Sequence, residues 1–412
     1  MFKPAMPGRA EFIALIASIM MIVAFAIDAM LPALPAIGES LGVADETRRA
    51  LVISAFTIGF GVAQLFVGTI SDRYGRRALM LVSLVAFAMM SIVAAAATSF
   101  TLLLAARAAE GIGAAGARVL ATSVVRDRFE GREMAQVMSL AAAVFMAAPI
   151  IAPFMGVAVL AVAPWPWIFI VLALVGAAIF VWVLFRLPET LPVAARRPIS
   201  FAGIADSARV VLSDRQSVGY TIANTGMTVA IMGFLTSVQL IFANTFKSAD
   251  LLPYGFAIMA GSMAVASVVN SRIVMRFGMR RIGHLALIGF TVIAAIHASV
   301  SIAGLESLAG FVVLQSLMMM CFSLTVGNFG AMAMENMGSV AGTASSLQGF
   351  VSSVVGGIGG ALIGLNFDGT TFPLYAGITL AGIGSLVAVF VAEGGRLFVA
   401  RHEGQKATQE GV

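Results

Sequence analysis

The stretch GTISDRYGRRALM, residues 68–80, decides the fold, because it gathers charge in a chain that has little of it. Charged residues make up 11% of the 412 residues, whereas hydrophobic residues make up 60%. Soluble domains use roughly 45–50% apolar residues, so the composition is that of a membrane protein. Apolar runs flank the stretch on both sides, and about 20 such residues span a bilayer. The stretch is therefore predicted to be a polar loop between two membrane-spanning helices.

Working outward from this loop, the apolar runs predict an all-α membrane protein with twelve transmembrane helices in two six-helix bundles. The spans are expected near residues 12–36, 50–70, 79–97, 101–124, 134–160, 165–186, 217–243, 253–274, 282–303, 308–334, 340–365 and 373–395. The longest polar interruption contains SFAGIADSARVVL, which is either a short amphipathic helix on the membrane surface or an ordered linker. The predicted units are an N-terminal bundle (1–186), a central loop (187–216), a C-terminal bundle (217–395) and a tail (396–412).

The placement of Lys and Arg predicts the orientation, because cytoplasmic loops retain positive charge. Of the 25 Lys and Arg residues, Arg48, Arg49 and Lys247 fall on one side, Arg107 and Arg118 fall within a span, and all others fall on the opposite side. That side holds both termini, the central loop and the tail, so these segments are expected to be cytoplasmic. The net charge of +5 then reflects topology, and nucleic acid is not expected as a partner.

A second loop resembles the first and predicts an internal repeat. Arg73-Tyr74-Gly75 aligns with Arg276-Phe277-Gly278 at an offset close to half of the chain length. Met275 occupies the position that corresponds to Asp72, so Arg276 and Arg280 are expected to act mainly in topology. Two related bundles favour a transporter whose binding site lies near the membrane midplane and opens to each side in turn.

Enzymatic chemistry has no support in the sequence. No nucleophile–base pair and no metal-ligand set is visible, and the single cysteine, Cys321, allows neither a disulfide nor a thiol metal cluster. We therefore expect no catalytic residue, no metal and no cofactor. A non-transporting membrane sensor is the alternative of another class, although no soluble signalling domain accompanies the spans.

The opening loop matches the G-x-x-x-D-R-x-G-R-R signature of the major facilitator superfamily, which the whole chain resembles. LAARAAEGIGAA, residues 104–115, is similar to the proton-antiporter signature on span four of that superfamily, with Arg107 and Gly111 in place and Glu110 where glutamine is common. These matches imply the superfamily fold and imply proton coupling.

A narrower resemblance rests on three further stretches. APIIAPFMG, residues 148–156, is similar to the span-five antiporter signature. Pro153 and Gly156 match the signature, whereas alanine replaces its glycines. Pro149 lies in the same segment. IDAMLPALP (27–35) and RLPET (186–190) resemble the Bcr/CflA, or bicyclomycin-resistance-like, branch of drug:proton antiporters. This resemblance implies efflux of drugs or small amphipathic compounds by proton antiport in a bacterial inner membrane. A facilitator or importer of a metabolite is the alternative on the same fold.

The charged loop is expected to act as a gate. Gly75 suits a tight turn and Gly68 a close helix approach, while Asp72 is expected to contact the start of span eleven, MGSVAGTASSL, whose amino end carries partial positive charge. The alternative is that the charges only fix topology. The resemblance implies the gate as well, with Arg77 reaching Asp127, and the predicted gating motif is Gly68, Asp72, Arg73, Gly75, Arg76, Arg77 and Asp127.

Four ionisable residues lie within spans, where such groups are costly and usually face an aqueous path. Asp28 and Arg107 are expected at similar depth, and Glu110 follows Arg107 by three residues on one helix face. Desolvation favours a neutral carboxylate and a nearby arginine favours a charged one. Asp28, Arg107 and Glu110 are therefore predicted to couple protons, with Asp28 or Glu110 as the carrier. The alternative is a static ion pair between spans one and four.

A substrate cavity is predicted from polar residues inside the spans. Asn224, Thr228 and Gln239 share a broad face of span seven, where exposure to lipid would be unfavourable, and Arg118 lies deep in span four. The expected partners are a small-molecule substrate, protons and membrane lipid, and we expect a monomer. His297, alone in span nine, is expected to be a packing residue.

Overall fold

The structure is a computed structural model of the chain, and it describes residues 7–129, 131–192, 196 and 201–398. Most of the predicted tail and parts of the central loop lie outside these ranges. Every regular element of the described part is helical. Its α-helices are α1 Arg9–Asp28, α2 Leu34–Ser40, α3 Glu46–Arg49, α4 Leu51–Tyr74, α5 Arg76–Ala95, α6 Phe100–Arg128, α7 Gly131–Phe145, α8 Ala148–Leu160, α9 Pro166–Arg186, α10 Phe201–Ser213, α11 Arg215–Leu240, α12 Leu252–Phe277, α13 Met279–Ile302, α14 Leu308–Met334, α15 Ala341–Leu365 and α16 Phe372–Ala392.

These helices confirm the all-α membrane fold. Within the described ranges, ten helical segments are long and apolar enough to cross a membrane, the first of them combining α1 and α2. The fourth span, α6, is interrupted in composition by Arg107, Glu110 and Arg118. The fifth is divided into α7 and α8. Each of the twelve predicted spans therefore has a helical counterpart.

Proline explains the interruptions of the first and fifth spans, because it removes a backbone donor from a helix. α1 ends at Asp28, a short 3-10 turn containing Pro32 covers Leu31–Ala33, and α2 then begins. α8 begins one residue before Pro149. The break after Asp28 leaves carbonyl groups at the end of α1 that other helices can bind.

Glycine lets the helices around α6 pack closely. A Cβ built on Gly111 would lie 2.8 Å from the backbone nitrogen of Phe60 on α4, and one on Gly113 would lie 2.6 Å from that of Phe87 on α5. A larger side chain at either position would push the helices apart. The glycine-rich α15 packs on α11 in the same way.

The two halves meet differently at the two ends of the molecule. We call the end with the α4–α5 and α12–α13 loops the basic end, and the end with α2 and α3 the opposite end. At the opposite end α8 packs on α12, where the rings of Phe154 and Tyr254 lie edge to face with centroids 5.4 Å apart. Asn244 Nδ2 also donates to Glu46 Oε2 at 2.6 Å. The opposite end is closed by these contacts.

Towards the basic end the contact is between α4 and α15. Gln64 Nε2 donates to Gly349 O at 3.3 Å and to Ser353 Oγ at 3.0 Å. Beyond this contact the halves separate around a cavity. Within the SFAGIADSARVVL segment, residues 201–212 are helical as part of α10, and Val211 packs on Met337 and Ala344 beside that cavity.

Candidate functional site

The charged loop at the basic end is organised around Arg76. This side chain is almost fully buried; its Nη1 lies 2.7 Å from Asp72 Oδ1 and its Nε lies 3.2 Å from Asp127 Oδ2. Gly75 has a φ of 100°, which a residue with a side chain rarely adopts, and this turn aims Arg76 inward. The prediction that Arg77 binds Asp127 is therefore wrong: Arg76 occupies the inward position, and Arg77 Nη2 donates to Leu184 O at 2.7 Å.

A carboxylate from the end of the N-terminal half holds the start of α5. Glu189 accepts the backbone N–H of Arg76 at 2.9 Å and that of Arg77 at 3.3 Å. An anion is stabilised there because the first amides of a helix have no partner within it. Thr190 Oγ1 adds a bond to Asp127 Oδ2 at 3.0 Å. Sequence reasoning used RLPET only as a family marker and missed this structural role, although α5 has no capping side chain of its own.

A cavity of about 720 Å³ lies between the halves at the basic end. Residues of α4, α6, α10 and the start of α15 line it. Asp72 lines it together with Gly338 and residues 340–343, and among the described residues Asp72 bonds to Arg76 rather than to α15. Gly68 lies near the α15 helix, where its Cβ would be 3.7 Å from Ser346 Oγ. The expected contact between Asp72 and span eleven is therefore not made in this conformation.

Two arginines of α6 reach the cavity. Arg118 lies over the ring of Phe145 at 5.3 Å, and Arg126 is exposed. Neither has an acidic partner among the described residues, unlike Arg76. The hydroxyl-bearing residues of the lining are Thr69, Thr122, Ser123, Thr343, Ser345 and Ser346.

The second predicted cluster lies in the interior, between α1, α4, α5 and α6. Arg107 and Glu110 have fully buried side chains, and Arg107 Nη1 lies 2.6 Å from Glu110 Oε2. Ser91 Oγ donates to the other carboxylate oxygen at 2.8 Å. Arg107 also donates to Ala26 O at 2.8 Å and to Val52 O at 3.3 Å. The guanidinium therefore joins three helices, because the break in α1 presents a carbonyl to it.

Asp28 lies beside this cluster but outside its ion pair. It is 5% exposed, and no hydrogen bond or ion pair to its side chain occurs within the described residues. Gly156 of the span-five motif packs on the adjoining turn, where a Cβ would overlap Ala29 O and lie 2.8 Å from Pro32 Cγ. Pro153, buried within α8, belongs to the same helix. The span-four and span-five motifs therefore contact the chain on either side of Asp28, at Ala26 O and at Ala29 O.

The polar residues predicted on span seven lie away from the cavity. Thr228 Oγ1 donates to Asn224 O at 2.9 Å within α11, and Thr228 faces Gly356 of α15. Gln239 is buried towards the other end of α11. Of the four predicted cavity residues, only Arg118 lines the cavity described above. The polar residues do recur along α11, but close packing of α15 on this helix covers part of the polar face.

The C-terminal half has its own charge network at the basic end. Arg280 Nη2 lies 2.9 Å from Glu335 Oε2 and its Nε lies 3.0 Å from Glu393 Oε1. The premise that Arg280 lacks an acidic partner is wrong, because its partners come from the ends of α14 and α16 instead of its own loop; that it acts mainly in topology stays a prediction. Met275, at the position of Asp72, is 89% exposed. Sequence reasoning missed this network because its members lie far apart in the chain.

Comparison with known proteins identifies relatives over most of the chain. The family model of the Major Facilitator Superfamily matches residues 16–361. An uncharacterized MFS-type transporter of Bacillus subtilis, YdgK, is 31% identical over 367 residues, covering 87% of this chain and 90% of its own. A bicyclomycin resistance protein homolog of Haemophilus influenzae is 27% identical over 368 residues, covering 85% and 88%. The multidrug resistance protein MdtL of Salmonella paratyphi A is 28% identical over 333 residues, covering 78% and 80%.

A solved structure shares the fold. The human organic anion transporter MFSD10 (TETRAN) matches with a TM-score of 0.67 at 19% identity, over 94% of this chain and 100% of that chain. It confirms the fold, and the family match and the relatives confirm the resemblance to the bicyclomycin-resistance-like branch.

Proposed function

Because this chain belongs to the Major Facilitator Superfamily, whose members are transporters and not enzymes, we propose that it exports small amphipathic compounds, drugs among them, in exchange for protons. The proposal includes alternating access across a bacterial inner membrane, with the basic end in the cytoplasm. The printed names of relatives, bicyclomycin resistance protein homolog and multidrug resistance protein, support the drug part of the proposal.

One observation carries the proton part: Asp28 is a buried carboxylate that has no partner among the described residues, and two antiporter-like motifs contact the chain on either side of it. Burying an unpaired carboxylate charge is costly, so Asp28 holds a proton while the opposite end is closed. Glu110 already faces Arg107 and Ser91, which makes it the second choice as a carrier. Release of the proton from Asp28 then accompanies entry of substrate from the basic end.

The cavity at the basic end supplies the other half of the cycle. It has the volume of a small-molecule site, and it is reached from the side that carries most of the positive charge. Closing it brings Asp72 towards the start of α15 while the contacts at the opposite end separate. Arg76, Asp127 and Glu189 hold the loop that makes this closure, in support of the predicted gating role.

The test combines drug susceptibility with transport. An efflux-deficient bacterial host that expresses the chain is compared with one carrying empty vector, across cationic, neutral, zwitterionic and anionic compounds. We expect raised resistance to some of them, and uniform susceptibility would remove the drug part. Everted vesicles then test a compound that gave resistance: accumulation should depend on an imposed proton gradient. Transport that ignores the gradient would favour the facilitator instead.

A further inference from the structure

The lining of the cavity at the basic end bears positive charge that has no acidic partner within the part of the chain that the structure describes. From this we infer that the cavity selects amphipathic anions, that is, compounds with a carboxylate or a similar acid group on an apolar body. The inference rests on the proposed function, since it takes this cavity as the substrate site. It follows from Arg118 and Arg126, which line the cavity without an acidic partner among the described residues.

The acidic side chain among the described lining residues is already in an ion pair. Asp72 is the acidic residue among the described lining residues, and it lies 2.7 Å from Arg76, which also binds Asp127. A cationic compound would therefore compete with Arg76 for Asp72 while facing the guanidinium groups of Arg118 and Arg126, which have no acidic partner among the described residues. An anionic compound would bind these two guanidinium groups and would not compete with Arg76 for Asp72.

Depth makes Arg118 the main selecting group. It precedes the end of α6 by ten residues, which corresponds to ~15 Å along the helix axis. A charge that far into a membrane protein is costly unless a partner or water satisfies it. Among the described residues Arg118 makes no hydrogen bond or ion pair, and it lies over the Phe145 ring at 5.3 Å. Arg126 lies two residues from the end of α6, at the mouth, where it attracts anions by longer-range electrostatics.

The rest of the lining suits an apolar body. Phe60, Leu65 and Val119 provide apolar surface, and Ser123 and Ser346 provide hydroxyl groups for secondary hydrogen bonds. The planar fork of arginine fits the two oxygens of a carboxylate. The cavity therefore combines one deep anion-binding group with an apolar wall.

Binding of matched probes tests this selectivity directly. The full chain is placed in phosphatidylcholine nanodiscs and titrated calorimetrically with 1-naphthaleneacetate, 4-phenylbutyrate and cinnamate, each compared with its neutral amide. We expect at least one acid to bind at least tenfold tighter than its amide, and this preference to fall as salt is raised. No binding by any of the three acids, or equal binding of acids and amides, would overturn the inference.

Variants separate the charge from the fold. Arg118→Gln should reduce the preference for the acid to about onefold while amide binding persists, and Arg118→Lys should retain most of it. Arg209→Gln is the matched control, because Arg209 is an exposed arginine of α10 that does not line the cavity. An unchanged preference in Arg118→Gln contradicts the role of Arg118.

Two further comparisons distinguish a lipid from a soluble substrate and separate failure of this inference from failure of the proposed antiport. If the natural acid group belongs to an anionic lipid, nanodiscs containing phosphatidylglycerol should weaken probe binding severalfold; a soluble substrate predicts little change. Binding needs no gradient, so failure of proton-driven export with intact acid preference would reject only the proposed antiport. Export that favours cationic compounds would reject this inference and leave the antiport standing.

Discussion

At the scale of single residues, the buried charges divide into two classes with different chemistry. Arg107 and Glu110 form a closed pair with bonds to three neighbouring helices, which is typical of a structural element. Asp28 is buried nearby, and within the described ranges it has no such partner. A group that must exchange a proton is better placed outside a strong ion pair, because the pair holds it in the charged form.

Asp28→Asn should abolish the response of export to an imposed proton gradient, because asparagine mimics the protonated form permanently. Uptake of a resistance-conferring compound into everted vesicles, with and without the gradient, measures this. Binding of the compound should survive. An Asp28→Asn protein whose export keeps its full pH response would move the proton site elsewhere.

Glu110→Gln should instead destabilise the protein, because it leaves the Arg107 charge buried without its partner. Breaking a buried pair in this way costs about 3–5 kcal/mol. The thermal unfolding midpoint in detergent should fall by several degrees, and Asp28→Asn is the control that should leave it nearly unchanged. Equal losses in both variants would argue against the distinction between a structural pair and an unpaired carboxylate.

Arg280→Gln should cost more stability than Arg276→Gln. Arg280 binds Glu335 and Glu393, and the Glu393 side chain is 4% exposed. The change removes the cationic partner of this buried acid, which keeps only neutral donors such as Tyr220 Oη at 2.6 Å among the described residues, at a cost of about 1–3 kcal/mol. Arg276 lies over the ring of Phe277 at 5.3 Å and serves as the matched control. Thermal unfolding of both variants at equal expression decides the point. A larger loss of stability for Arg276→Gln would favour the prediction that Arg280 acts mainly in topology.

At the scale of elements, the sequence predicts helices well and their facing surfaces poorly. Apolar runs indicate spans directly, because membrane thickness sets their length. The role of Glu189 depends on chain segments that meet only after folding. The polar face of α11 was visible in the sequence, but whether it meets the cavity or the glycines of α15 depends on packing. The prediction that Arg77 binds Asp127 failed for the same reason: the turn at Gly75 places Arg76, not Arg77, next to Asp127.

Gly156→Ala should disturb the join between α8 and α1, because its Cβ would overlap Ala29 O next to Asp28. Overpacking of this kind costs typically about 1–3 kcal/mol. Gradient-driven export and the unfolding midpoint should both fall. Gly261→Ala on α12 is the control, since nothing lies within 4 Å of its Cβ. If the two alanine variants have the same export and the same unfolding midpoint, the close approach of α8 to α1 is not needed for transport.

At the scale of the whole molecule, the two halves form one closed and one open end. Contacts of α8 with α12 and of Asn244 with Glu46 close the opposite end, while the cavity opens the basic end. The repeat of Arg73-Tyr74-Gly75 in the second half predicted this two-part architecture. Which end is closed could not be predicted, because both states must be accessible to one sequence if access alternates.

Asp72→Asn should weaken closure of the basic end without preventing insertion. In the present conformation Asp72 and the start of α15 both line the cavity, and closure would bring the Asp72 charge to the positive amino end of that helix. Such an interaction is worth on the order of 0.3–1 kcal/mol, so the closed state should lose roughly two- to fivefold in population. A cysteine at Ser346, which lines the cavity, reports this in a Cys321→Ser background through its labelling rate with a membrane-impermeant maleimide in everted vesicles. The rate should rise in Asp72→Asn and stay unchanged in Asp206→Asn, an exposed acid of α10 outside the lining. Equal labelling in all three proteins, together with normal transport, would mean that the loop charges fix topology and do not act as a gate.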